Sequence, residues 1–301
     1  MAKWITFAPI LGNHRIHKTL EGYEDFEIGY VKFKRIPDWL KSEEIVKYLS
    51  FYNKEEIKDA KWMFISEYEA NSLGEPDPEW RGEKQRGKQH SAVERIQISN
   101  LALWIARPSS LTFNMMFHVD SDKKILRECF TRPPIKPHSN DDRNYHSKKD
   151  LELANDISLS IQNLQRNSSI WLASRTLYEA LTSDIWEVRF LLLWIVLEAL
   201  FGASTEITYR ISQRIGFLLS VDKKTAFDLY KEAKVSYNWR SKIVHGKRHK
   251  LEQSKSAQVL YNTECLVRNA VLKILKDKEL IKIFSSSDNT REEYLDNLVF
   301  V

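Results

Sequence analysis

The longest apolar run in the sequence extends from Phe190 to Phe201 and is interrupted by one carboxylate, Glu198. The run is well short of the length that a membrane-spanning helix requires. A helix from Trp186 to Phe201 is apolar on most sides, which is typical of a helix covered by its neighbours. Because an unpaired charge is unfavourable in such a place, Glu198 is expected to have a cationic or hydrogen-bond donor partner. The run therefore predicts a helix packed inside a helical bundle.

The sequence from Asp150 onward has helical periodicity nearly throughout. Asp184 can cap the apolar helix at its start, and Gly202 can end it. The connections are short, so neighbouring helices are expected to pack antiparallel. The predicted helices cover residues 151–164, 169–181, 186–201, 205–218, 225–245 and 252–276.

The first half has a different pattern, with alternating apolar residues and turn signals. Residues 26–33 and 111–119 suit strands, while 42–52 and 91–103 suit helices. A proline-rich loop over residues 132–142 is the best candidate for a boundary. The predicted organisation is an α+β region over 1–149, an all-α bundle over 150–280, and a loosely held tail over 281–301 with a final apolar anchor.

Charge and cysteine content limit the classes of function. The net charge of +5 permits an anionic partner without demonstrating one. Cys129 and Cys265 are too few for a disulfide framework and have no metal-ligand spacing. With no secretory signal visible, we expect a cytoplasmic protein that has no membrane partner and needs no metal or cofactor.

One short segment carries residues suited to chemistry on RNA. Arg240 precedes His245 by four intervening residues, at the predicted end of a helix. Arginine holds phosphate through a planar fork of donors, and histidine exchanges a proton near neutral pH. On a straight helix the two side chains lie about 140° apart. Either the helix ends at His245, which Gly246 permits, or a second copy completes the site, or His245 is merely packed at a helix end.

A second group of charges precedes this segment. Glu206, Arg210 and Arg214 follow one another at intervals of four residues and so share one helix face. Taken alone, these three residues favour a salt-bridged surface face.

Three sequence segments, in a fixed order, make the second half more specific than the Arg240–His245 motif alone. They are Trp186–Gly202, Glu206–Leu219 and Tyr237–Gly246, and together they resemble the Apea-like branch of the HEPN superfamily. The resemblance covers roughly residues 150–280 and implies a helical bundle that dimerises. It also implies a metal-independent endoribonuclease in which Arg240 and His245 are catalytic.

The same resemblance assigns further roles. Attack of a ribose 2′-hydroxyl on the adjacent phosphodiester is expected to give a 2′,3′-cyclic phosphate and a free 5′-hydroxyl. Supporting roles are implied for Ser241, Glu198, Glu206, Arg210 and Arg214, and contacts to flanking RNA phosphates for Lys247, Arg248 and Lys250.

The implied partners are RNA, a second copy that completes a composite active site, and an activator or antitoxin protein. Such nucleases resemble toxins and antiviral-defence effectors. The alternative is a catalytically silent HEPN dimer that serves as an RNA-binding or protein-interaction scaffold.

Overall fold

The computed structural model describes residues 2–10, 22–47, 49–70, 91–108, 111–120, 126–131, 133–135, 146–202, 205–247 and 252–300. The chain forms two compact units, Met1–Asn163 and Leu164–Val301. Among the helices of these ranges, none is long and apolar enough to cross a membrane.

The first unit is built on an antiparallel sheet. Its strand order is β2-β3-β4-β1-β5-β6, so the first strand lies inside the sheet, between β4 and β5. In that position Phe7 pairs with Ile65 on one side and with Phe117 on the other. The strands are β1 Ala2–Pro9, β2 Glu27–Ile28, β3 Val31–Arg35, β4 Trp62–Ala70, β5 Met115–Asp120 and β6 Leu126–Thr131.

Helices cover this sheet. The helices of the unit are α1 Asp38–Lys41, α2 Glu43–Val46, α3 Phe51–Asp59, α4 Ala92–Ala106 and α5 Lys148–Gln162. Because side chains alternate across a strand, Phe7 and Phe117 lie on one face, where Leu40 and Ile57 of α1 and α3 complete an apolar cluster. Helix α4 packs on β1, β3 and β4 and on α5.

Two local predictions in this unit were wrong. The predicted strand 26–33 is a hairpin, because Gly29 adopts φ +64° and turns the chain between β2 and β3. A Cβ at Gly29 would lie 2.5 Å from the Ser158 hydroxyl, so this turn also needs glycine for its close approach to α5. The predicted helix 42–52 is replaced by α2 and by α3, which starts at its own cap Ser50.

The boundary between the units differs from the predicted one at 149/150. Helix α5 belongs to the first unit, where the Asn155 side-chain oxygen accepts from the Gly29 amide at 2.9 Å. Arg107 and Asp150 also form an ion pair at 3.5 Å. Helical periodicity showed that α5 buries an apolar face, but it carries no information on which layer that face packs against.

The second unit is helical, as expected. Helices α6 and α7 have the predicted bounds. Gly202 ends α7 as expected, but the N-cap position of α7 is Ile185, which makes no side-chain cap, and not Asp184. The helices are α6 Ser169–Leu181, α7 Trp186–Phe201, α8 Ile207–Leu219, α9 Lys223–Val244, α10 Ser256–Lys276, α11 Lys278–Phe284 and α12 Asp288–Phe300.

Helix α7 supplies much of the core of this unit. Phe190, Trp194 and Leu197 are fully buried, and α7 contacts α6, α8, α9 and α10. The same helix carries Arg189, which forms a buried ion pair with Glu264 of α10. An α+β first part followed by a helical second part is therefore confirmed.

The predicted loose tail over 281–301 was wrong. Residues 278–300 form α11 and α12, which place Phe284 and Leu295 in the core with no exposed surface. The serine-rich segment 285–287 is the short connection between these helices. Its Ser285 is the C-cap of α11.

Removal of one partner from the buried ion pair is expected to destabilise the second unit. Arg189→Met removes the guanidinium that faces Glu264, whose side chain is 3% exposed, and so leaves a buried carboxylate without this cation. We expect a loss of about 3 kcal/mol in the free energy of unfolding, measured by urea titration followed by far-UV circular dichroism.

The double variant Arg189→Met/Glu264→Leu is expected to recover most of that loss, because no buried charge is left unpaired. Lys58→Met is the matched control, since it removes one partner of the exposed Lys58–Glu43 pair and should leave the urea midpoint unchanged. Equal effects of the single and double variants would contradict this reading.

Candidate active site

The C-terminal end of α9 positions the candidate catalytic residues. His245 is the C-cap, and Gly246 follows with φ +67°. The Gly246 amide donates to the Ile243 carbonyl at 3.1 Å, and the Lys247 amide donates to the Lys242 carbonyl at 2.8 Å. This bond pattern is a Schellman motif, for which glycine is the preferred residue at the left-handed position. The prediction that the helix ends at His245 with the help of Gly246 is confirmed.

Glu198 has the cationic partner that its place in an apolar helix predicts. Its carboxylate lies 3.0 Å from the guanidinium of Arg240, so the pair joins α7 to α9. The two side chains are 30% and 27% exposed, which leaves the pair at the rim of the core. The guanidinium also lies 5.7 Å from the ring centre of Tyr237. Arg240 is thus held on two sides while part of it faces solvent.

A buried chain of contacts fixes α9 beneath Arg240. The Tyr237 ring meets the Trp194 ring edge-on at 5.2 Å. The Trp194 indole donates to the Ser236 hydroxyl at 2.9 Å, and Ser236 contacts the Thr263 hydroxyl at 2.6 Å. Because these bonds join α7, α9 and α10, they set the rotation of α9 about its own axis. Sequence reasoning gave these four residues no role, although Trp194 and Tyr237 lie inside the quoted blocks.

His245 is not brought to Arg240 within one chain. The helix stays regular up to this point, since the His245 amide donates to the Ser241 carbonyl at 3.1 Å. The two side chains therefore diverge by about 140° around the helix. The imidazole is exposed, and within the described ranges it makes no hydrogen bond or ion pair. His245 thus lies at the helix end with an exposed ring, and a site completed by a second copy stays open.

The predicted pairing of Glu206 with Arg210 does not form. Glu206 precedes α8 in a left-handed conformation with φ 49°, so it lies outside the helix and the four-residue spacing does not align the two side chains. Their link is the Arg210 amide, which donates to the Glu206 carbonyl at 3.0 Å. Glu206 is exposed and Arg210 is half-buried.

Arg214, for which the resemblance implies a supporting role, makes structural contacts inside the second unit. Its side chain is 1% exposed, and its guanidinium donates to the Phe201 and Gly202 carbonyls at 3.0 and 2.7 Å. A second nitrogen pairs with Asp296 of α12 at 2.8 Å. Carbonyls at a helix end lack partners within the helix, so Arg214 completes α7 and fastens α12 to it.

The remaining candidates flank the helix end. Ser241 is half-buried one residue after Arg240, and Lys247 is exposed. Arg248 and Lys250, predicted to contact RNA, lie outside the described residues. In the part of the chain that the structure describes, no group of three histidine, cysteine, aspartate or glutamate residues is arranged to hold a metal ion.

Two histidines outside this site contact neighbouring polar groups. The His118 ring nitrogen lies 2.7 Å from the Thr6 hydroxyl, and burial lowers the pKa of His118. His146 is 4% exposed and contacts the Leu103 carbonyl at 3.2 Å. Burial lowers the pKa of His146 as well, so both rings are neutral at neutral pH.

Replacement of Arg214 by lysine tests its structural role. Lysine keeps the charge but lacks the planar fork that reaches two carbonyls and a carboxylate. We expect Arg214→Lys to lower the free energy of unfolding by about 2 kcal/mol in urea titration. Arg210→Lys, one helical turn earlier, is the matched control and should change it little. Unchanged stability of Arg214→Lys, together with weakened RNA binding, would contradict the assignment.

Comparisons with protein-family models, with curated proteins and with solved structures find no match for this chain. The resemblance to the HEPN superfamily stays a prediction from the three sequence blocks.

Proposed function

We propose that the protein is a metal-independent endoribonuclease of the HEPN type, with Arg240 and His245 as its catalytic residues. The observation that carries the proposal is the anchored guanidinium of Arg240, which Glu198 and Tyr237 hold at the end of α9. On the same helix end, the imidazole of His245 faces solvent and makes no hydrogen bond or ion pair with the described residues. The arrangement offers one fixed positive charge and one imidazole that can accept or donate a proton.

The mechanism follows from these two groups. A neutral imidazole removes the proton of a ribose 2′-hydroxyl, whose oxygen attacks the adjacent phosphorus in line with the leaving 5′-oxygen. Arg240 stabilises the negative charge that gathers on the phosphoryl oxygens. The bond from phosphorus to the 5′-oxygen breaks, and an imidazolium supplies a proton to that oxygen. The products are a 2′,3′-cyclic phosphate and a 5′-hydroxyl.

The active form is a homodimer in this proposal. Arg240 and His245 diverge within one chain, so a complete site takes an arginine from one copy and a histidine from the other. An apolar stripe on α7 supports the second copy as partner, because its residues follow helical spacing and remain partly exposed, with Ile195 at 43%. We call this set the α7 stripe; it consists of Val188, Leu191, Leu192, Ile195 and Ala199. Glu198 adjoins the stripe, so the interface would reach the Arg240 pair.

The surrounding residues take lesser roles. Glu198 positions Arg240, Ser241 supports the helix end, and Lys247, with Arg248 and Lys250, binds flanking phosphates. Glu206 and Arg210 lie at the start of α8 with no assigned contact to RNA. Phosphate contacts of this kind weaken as salt concentration rises.

The biological role in this proposal is that of a toxin or antiviral-defence effector in the cytoplasm. The first unit then acts as a sensor, a selector of RNA or a cover for the site, with an activator or antitoxin protein as its partner. Growth arrest on expression, relieved by Arg240→Ala, is the expected phenotype. Unimpaired growth, together with RNA left intact by the purified protein, would oppose this role.

RNA cleavage by the purified chain tests the nuclease. Wild type is incubated with tRNA and total RNA, with and without chelator, and the 3′ ends are analysed for cyclic phosphate. We expect cleavage that chelator does not affect and that falls by at least about 100-fold in His245→Ala, because the general base is removed. The exposed His245 makes this variant neutral for folding. Cleavage unchanged in His245→Ala would exclude the proposed mechanism.

Assembly through the α7 stripe gives a separate test. Ile195→Asp is expected to convert a dimer to a monomer in size-exclusion chromatography with light scattering, because it places a charge in an apolar interface. Val221→Asp is the matched control, since Val221 is 95% exposed outside the stripe. A dimeric Ile195→Asp variant would argue against this interface.

A mixture of Arg240→Ala and His245→Ala chains should regain part of the activity that each lacks.

A specific observation also favours the second candidate function, a catalytically silent dimer that binds RNA or protein. Arg240 is already neutralised by Glu198 at 3.0 Å, and this pairing competes with phosphate. A substrate with one 2′-deoxy linkage discriminates between the candidates, since it still binds but is not cleaved at that linkage. Retention of ordinary RNA without cyclic-phosphate ends would favour the scaffold.

A further inference from the structure

A groove of about 340 Å³ lies between α9 and α10, starting one helical turn before Arg240. Its size falls within the range of small-molecule sites. Val235 and Val259 form apolar walls on its two sides, and Val235 is 52% exposed. The lining residues are Lys231, Glu232, Val235, Ser236, Val259 and Asn262.

Three of the polar groups in the groove are already engaged in part. The Ser236 hydroxyl accepts from Trp194 and contacts Thr263. The Lys231 ammonium lies 4.0 Å from the centre of the Phe227 ring. The Asn262 carbonyl oxygen accepts from Gln258 at 2.6 Å, which leaves the amide NH₂ of Asn262 to donate elsewhere.

Glu232 differs from these groups. Within the described ranges its carboxylate has no hydrogen bond or ion pair, although it is half-buried. Burial raises the pKa of this carboxyl. A partly desolvated carboxylate without a donor gains more from a ligand that brings donors than an exposed one does.

We infer that this groove binds a guanine base of the RNA substrate, an inference that rests on the proposed ribonuclease function. The two valines provide apolar contact to the faces of a flat ring. Glu232 offers two acceptor oxygens, and among the four RNA bases guanine presents two adjacent donors on its Watson–Crick edge. The neighbouring guanine oxygen accepts from the Asn262 amide.

The distance along α9 fits this arrangement. Ser236, at the near end of the groove, precedes Arg240 by four residues, and Glu232 precedes it by eight, which are about 6 and 12 Å of helix. A base held by Glu232 therefore belongs to a nucleotide within one or two positions of the phosphate at Arg240. The groove thus selects the position of cleavage, while Arg240 and His245 perform it.

Nucleotide binding tests the groove without any need for cleavage. The full chain is titrated with the four ribonucleoside 3′-monophosphates by calorimetry. We expect the guanosine nucleotide to bind about tenfold or more tightly than the other three. Glu232→Ala and Val235→Trp should both remove this preference, the first by loss of the acceptor pair and the second by filling the groove. Asn238→Ala, at an exposed position of α9 outside the groove, is the matched control.

Cleavage sites give the second readout. Sequencing of the cyclic-phosphate ends should place guanine at one fixed position within two nucleotides of the cut, and Glu232→Ala should scatter the cuts over all bases. Selective guanosine binding, with no RNA cleavage by wild type or by any variant, would contradict the proposed ribonuclease function and would support the guanine site. Cleavage without base preference, or equal binding of all four nucleotides, would overturn the guanine site and leave the nuclease intact. Thermal melts of both variants confirm that they fold.

Discussion

The second unit depends on covering a helix that is apolar around most of its circumference. Helix α7 buries Phe190, Trp194 and Leu197 completely, and four other helices pack against it. Three of its polar features are matched: Arg189 with Glu264, Glu198 with Arg240, and the terminal carbonyls with Arg214. Burial of apolar area supplies the driving force, while these polar matches make one arrangement of helices preferable to its alternatives.

Position in this arrangement decides the role of each arginine. Arg214 and Arg240 both bind oxygen atoms at the C-terminal part of α7, yet one is 1% exposed and the other 27% exposed. The buried guanidinium has its donors committed to carbonyls and to Asp296. The partly exposed one is paired with Glu198 and leaves part of its surface open to solvent, where the proposed function places a phosphate. The same chemical group is thus structural in one place and suited to binding in the other.

Local signals made part of this structure predictable. Helices α6 and α7 have the predicted bounds, because Ser168 and Gly202 mark an end of each and the apolar spacing between is regular. The need of Glu198 for a cation was also predicted, since it follows from the cost of burying a charge. The identity of that cation as Arg240 was not predicted, because it depends on how α9 is rotated against α7. That rotation is set by the Trp194–Ser236–Thr263 chain, which has no local signature. For the same reason, spacing placed Arg214 on a helix face but gave no sign of the carbonyls across from it.

The position of Glu198 has a thermodynamic consequence. Its carboxylate holds Arg240, and the residue also adjoins the α7 stripe, so covering of that stripe removes water from around the ion pair. Loss of water strengthens the attraction between the two charges and at the same time raises the penalty of separating them. Occupation of the guanidinium by phosphate and association through the stripe are then linked equilibria. If bound phosphate changes the association constant of the two copies by some factor, association must change the affinity for phosphate by the same factor.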